Sequence, residues 1–142
     1  MQDIQVKYKA FSVQADLRQL VKYIWTMEAK PNAGDYFVFR TFASLNPTLL
    51  FVEKGNVEAI SEQTTGNLHL IGQSNQWFRF KTSNDFKVFG ITFSPVAFPL
   101  LFKLSADNLT NKILDRSFIS KHDLLLEFCQ NVLSNEFKPN YV

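Results

Sequence analysis

The sequence predicts a mainly β domain, an antiparallel barrel or sandwich, followed by short helices and one amphipathic helix. Three observations lead there. Apolar stretches of four to nine residues, rich in Phe, Val, Ile and Thr, recur through the first two thirds of the chain. Polar turn sequences such as "SLNP" and "EQTTGN" separate them, with no long helical pattern between. After Ser94-Pro95 the apolar period changes from two to 3.6, the mark of a strand region giving way to helices.

In order, "IQVKYKAF" (4–11) alternates apolar and polar, with Ile4, Val6 and Tyr8 on one half-buried face. Asp16 caps a short helix holding Leu17, Leu20 and Val21, and "YIWTMEA" is extended again. Residues 36–43, 48–55 and 67–73 form three more strands. "QWFRFK" (76–81) and "FKVFGITFS" (86–94) are expected to pair as a hairpin across "TSND". That gives about seven strands, with Phe39, Phe51, Phe80 and Phe93 in the core.

The last third reads as three short helices. Ser94 caps the first, with Pro95 at its first position, and Pro99 interrupts it after about one turn. Ser105 starts a second through "ADNLTNKI", and Ser120 a third with Asp123 three residues on. In the third, Leu125, Phe128, Cys129, Val132 and Leu133 form one apolar stripe. Leu124 and Leu126 lie beside it, as ordinary surface leucines or as a dimer interface. The chain thus divides into a β region with a short crossing helix, 1–104, and a helical extension of the same domain, 105–142.

Composition excludes several functions. One domain of 142 residues, 46% hydrophobic and 20% charged, has enough chain for one core. Its net charge of +2 and scattered lysines do not make a phosphate-gripping surface. The fifteen phenylalanines fit an aromatic-lined cavity or a composition that also favours Lys and Asn. A lone Cys129, no apolar run near the ~20 residues of a membrane span and no signal-peptide pattern lead to the expectation of a cytoplasmic protein.

Catalytic chemistry finds little support. A metal site needs several converging His and carboxylate ligands, whereas the chain has His69 in a strand and His122 near the last helix. No nucleophile elbow or phosphate loop occurs, Glu53 and Glu58 flank a glycine turn as solvated charges, and no cofactor and no enzyme activity are expected. One constellation remains. Trp77 and Arg79 share one strand face, Phe78 and Phe80 the other. With the phenylalanines inward they are plain core; with Trp77 and Arg79 inward they offer a stacking surface and a cation for a polar or anionic ligand. Candidate ligand residues are Arg40, His69, Trp77, Arg79 and Phe93, with Arg79 or Arg40 as polar anchor.

The order "LxxLVKYIW", "NPTLLFVEKG", "LIGQ" and "VFGITFSPVAFPLLFKLSADNLTNKI" resembles the N-terminal domain of one group of AraC-type transcriptional regulators, over about residues 15–120 and most closely from Phe89 to Asn111. The resemblance implies a cupin-like barrel with helices after it, an effector-sensing or homodimerising module that touches DNA only through a helix-turn-helix region absent from these residues. In that setting the segment Val88–Leu104 carries the chain from the barrel to the dimerisation helix. A stand-alone small-molecule-binding barrel is the alternative.

Overall fold

In a computed structural model of the chain, the residues described are 6–29, 36–41, 44–60, 66–82 and 85–134. Ile4, the ends of the expected strands at 42–43, most of "EQTTGN" and the middle of "TSND" lie outside them. The architecture is two antiparallel sheets and a layer of C-terminal helices, a β-sandwich of cupin-like type whose sheets do not close into a barrel.

The large sheet contains β1 (Val6–Ser12), β2 (Val21–Ala29), β4 (Thr48–Lys54), β6 (Leu68–Ile71), β8 (Phe86–Phe93) and β9 (Ile113–Leu114), in the spatial order β1-β2-β8-β4-β6-β9. The small sheet contains β3 (Phe37–Thr41), β5 (Val57–Ala59) and β7 (Phe78–Thr82), in the order β3-β7-β5. Strands β4 and β8 are central and covered on both faces, which is why "TLLFV" and "VFGITF" are nearly continuous apolar runs. Residues facing one way along them (Leu49, Phe51, Phe89, Ile91, Phe93) pack under the helices. Those facing the other way (Leu50, Val52, Val88) join Phe39, Phe78 and Phe80 of the small sheet in a second core. All four phenylalanines expected in the core are buried.

The expected hairpin of β7 and β8 does not form. β7 pairs with β3 and β5, while β8 pairs with β2 and β4, so the chain between them crosses from one sheet to the other. A short polar linker carries no information about which sheet the next strand joins. β5 and β9, three and two residues long, are additional to the seven expected strands, and β9 lies inside the extension read as helical. At Gly55 the backbone takes φ 84°, a conformation suited to glycine, and turns the chain from β4 into β5.

Other expectations need correcting. β1 is an edge strand with Val6 and Tyr8 exposed rather than half-buried. The helix around Leu17 reduces to a 3-10 turn, Ala15–Leu17, with Asp16 inside it rather than capping it, and Val21 already belongs to β2. The Ser94 hydroxyl donates to the Gln19 carbonyl instead of capping a helix. Beyond it the chain makes one wide π-helical turn, Phe98–Phe102, with Pro99 near its start and Lys103 left-handed (φ 57°) at its end. The Ser105 helix is a 3-10 turn, Ala106–Leu109.

Helix α1 (Arg116–Ile119) is capped by Asp115, whose carboxylate accepts from the Ser117 N–H and hydroxyl. Ser120 is therefore the C-cap of α1, and α2 runs from Asp123 to Ser134. On α2, Leu125 and Cys129 are buried, with Phe128, Val132 and Leu126 packed partly against the core. Leu133 is exposed at the helix end.

Candidate functional site

The two sheets part at one end and leave a cavity of about 520 Å³. β2 supplies Tyr23, Trp25 and Met27, the neighbouring edge strand β1 supplies Tyr8, and Thr48, Ile71 and Thr92 come from β4, β6 and β8. The small sheet adds Phe39 and Thr41, and Ser44 and Ser74 close the end through a two-bond backbone bridge of 2.9 and 2.8 Å. Tyr8 and Tyr23 are exposed at the rim, whereas Trp25, Phe39, Ile71 and Thr92 are buried. The walls are apolar with a few convergent polar groups, the composition of a small-molecule site.

Trp25 holds its place because its partner across the ladder is Gly90. A Cβ there would stand 2.3 Å from the Trp25 ring, so only glycine lets the indole lie across β8. Its N–H donates to the Thr92 hydroxyl at 3.2 Å, which lies 3.0 Å from the Thr48 hydroxyl. Tyr8 stacks on the outer side of Trp25 with ring centroids 6.0 Å apart. Partial desolvation against its neighbours, seconded by Tyr23, raises the pKa of the Tyr8 phenol although much of the residue is exposed. The Thr41 hydroxyl oxygen is buried without a hydrogen-bond partner.

The residues expected to bind a ligand do not come together. Arg40 borders the cavity, but its neighbours Phe39 and Thr41 take the inward positions of β3, and its guanidinium lies 5.2 Å above the Trp77 ring. Trp77 is 58% exposed, and Arg79 lines a separate shallow groove on the outer face of the small sheet with Tyr36, Glu58 and Lys81. Phe78 and Phe80 are thus the inward pair, and Trp77 and Arg79 do not face the interior. Phe93 faces the helices, its ring 5.3, 5.7 and 5.8 Å from those of Phe98, Phe102 and Phe128.

His69 lies fully buried between the sheets, edge-on to Phe80 and outside the cavity lining. Its Nε2 is 3.2 Å from the Gly66 carbonyl, and Nδ1 has no hydrogen-bond partner. Burial lowers its pKa, opposed by the carbonyls of Gly66 and Val57, the latter without a well-formed hydrogen bond. His122 packs on Phe118 in the helical layer, and among the described residues no group of three or more His, Cys, Asp or Glu is placed to hold a metal. Burial pushes the Cys129 thiol up to about 12, which leaves it an unreactive core residue.

The pair proposed for a dimer contact is also divided. Leu124 is 44% exposed, but Leu126 packs against the core under the helices, so the two do not make one free patch.

Of the lining, sequence reasoning named only Arg40 as a ligand residue; Trp25, Thr41, Thr48 and Thr92 are among those it missed. The available signal was a threonine isolated in apolar strand sequence, with a glycine two residues before it at Gly90.

Among solved structures, the chain is similar to ToxT from Vibrio cholerae O395, with a TM-score of 0.41 and 14% identity over 97% of this chain and 49% of that one. The chain therefore spans about half the length of that protein. No curated protein matches it. Among the described residues no helix is long and apolar enough to cross a membrane. A model of one protein family matches residues 10–115, from the middle of β1 to the cap of α1 and so across the cavity's described lining except Tyr8; the chain belongs to that family, the domain of unknown function DUF6597.

Proposed function

We propose that this chain is the ligand-sensing module of a transcription regulator of AraC type, non-catalytic itself, and that DNA is contacted by a region outside these residues. The observation that carries the reading is the position of the end of β8. Thr92 faces the cavity, and the next residue, Phe93, packs against Phe98, Phe102 and Phe128 in the helical layer. A ligand that displaces the Thr92 hydroxyl therefore acts on the strand that supports the helices, as a two-state sensor requires. The AraC-type resemblance of Val88–Ile113 falls on this same strand and the turns after it.

The non-catalytic reading is supported by a described lining that contains no Asp, Glu, His or Cys. Its two serine hydroxyls are engaged locally, Ser44 accepting from the Asn46 N–H and Ser74 donating to the Gln76 carbonyl.

The test fills the cavity floor with a side chain. In Thr92→Leu, amide hydrogen exchange across Phe98–Phe102 and α2 should change by roughly threefold or more while β5 exchanges as in wild type. Exchange unchanged in the helical layer would remove the coupling. In gel-shift titration at near-physiological salt the chain alone should select no DNA sequence, and selective binding would overturn the assignment of DNA contact to another region.

A further inference from the structure

We propose that the cavity takes an uncharged, largely apolar small molecule bearing one carbonyl or hydroxyl oxygen, and discriminates against the corresponding carboxylate. The inference rests on the sensing role proposed above and names its ligand class.

Charge is the first argument. Among the described residues of the lining, Arg40 alone belongs to a charged type, and its guanidinium is set over the Trp77 ring on the outer face. A carboxylate carried past Tyr8 and Tyr23 would lose its water and meet no opposite charge. Burying an unpaired ion is far more costly than burying a neutral oxygen that finds a donor. The rim tyrosines, Tyr8 and Tyr23, bring no opposite charge either.

Hydrogen-bond accounting supplies the oxygen. The Trp25 N–H is donated to Thr92, and the Thr48 and Thr92 hydroxyls share one proton between them, whichever is the donor. One hydroxyl proton of that pair is left over. The Thr41 hydroxyl, on the opposite sheet, is buried and has no protein partner. Each of these is a hydroxyl proton without a protein partner at an apolar cavity, and a ligand oxygen offers the acceptor that such a proton lacks. Trp25, Met27, Phe39 and Ile71 cover the rest of such a molecule, and a volume of about 520 Å³ accommodates it.

Three probes of one shape separate the possibilities: 2-naphthol, 2-naphthoate and 2-methylnaphthalene, titrated at pH 7 into the 15N-labelled chain. The Trp25 indole N–H signal is the reporter and that of Trp77, outside the cavity, the reference. The expected result is that 2-naphthol shifts the Trp25 signal with a Kd at least roughly tenfold below that of 2-naphthoate. Thr41→Val should weaken 2-naphthol by roughly three- to tenfold, leaving 2-methylnaphthalene unchanged, while Thr41→Ser retains wild-type affinity. Both variants are checked for folding by the dispersion of the same spectra.

Equal or tighter binding of 2-naphthoate overturns the charge discrimination and leaves the cavity a ligand site. Equal binding of 2-methylnaphthalene, or an unchanged 2-naphthol Kd in Thr41→Val, overturns the role of the oxygen. If none of the three moves the Trp25 signal, the cavity is not a ligand site and the sensing role falls with it.

Discussion

His69 shows what one polar side chain does to a dry core. Its ring is fully buried among apolar residues and has one hydrogen-bond partner for two nitrogens. Burial disfavours the cation, so the folded-state pKa lies below the value near 6.5 of the unfolded chain. Between those two values the unfolded chain binds more protons, and stability falls as pH falls through the window. Chemical denaturation from pH 7.5 to 5 should show wild type losing stability below about pH 6.5, and His69→Leu losing less over the same span. Parallel curves would mean that the ring accepts its proton without cost. Gly90 is the apolar counterpart, a residue defined by what it leaves room for, since the Trp25 wall of the cavity exists only where no Cβ intervenes.

At the scale of elements, edges and caps decide the outcome. Lys54 and Lys87 face each other across β4 and β8, a like-charge pair relieved by Asp85 at 2.8 Å and Glu53 at 3.4 Å. These exposed ion pairs contribute about 0–1 kcal/mol each and serve register more than stability. The two leucines of α2 differ for a geometric reason: Leu126 lies on the flank of the buried stripe, and Leu124 lies outside it. Leu126→Lys should therefore destabilise the fold by roughly 1–3 kcal/mol, and Leu124→Lys should stay within about 0.5 kcal/mol of wild type. Urea titration measures both. Equal effects would show that α2 is rotated from the orientation described.

For the whole molecule, the governing fact is that both cores rest on one sheet. The apolar side chains of β4 and β8 are divided between the inter-sheet core and the core under the helices, so neither layer can leave without exposing those strands. Phe80→Ala, in the first core, and Phe98→Ala, in the second, should each cost about 3–5 kcal/mol. Both should lower the midpoint of one shared transition, seen alike in near-UV and far-UV circular dichroism. Separate transitions, one lost in each variant, would mean that the helical layer folds independently.

Local chemistry determined that the chain is mainly β with helices after Ser94, that Phe39, Phe51, Phe80 and Phe93 are core, and that the last helix carries an apolar stripe through Leu125 and Cys129. Periodicity and turn residues are properties of neighbours in sequence, so they survive without knowledge of the fold. Partner choice is not such a property. That β7 and β8 join different sheets, that Ile113 and Leu114 add a strand and that β4 and β8 are covered on both faces depend on pairings between residues distant in sequence. The cavity belongs to the same class. Thr41, Thr48 and Thr92 read as ordinary strand threonines, and only the stacking of two sheets makes them line one cavity while the Arg40 guanidinium lies over Trp77 and Arg79 lines a groove on the outer face. A strand sequence fixes which residues share a face; which face becomes the interior is decided by what packs on it.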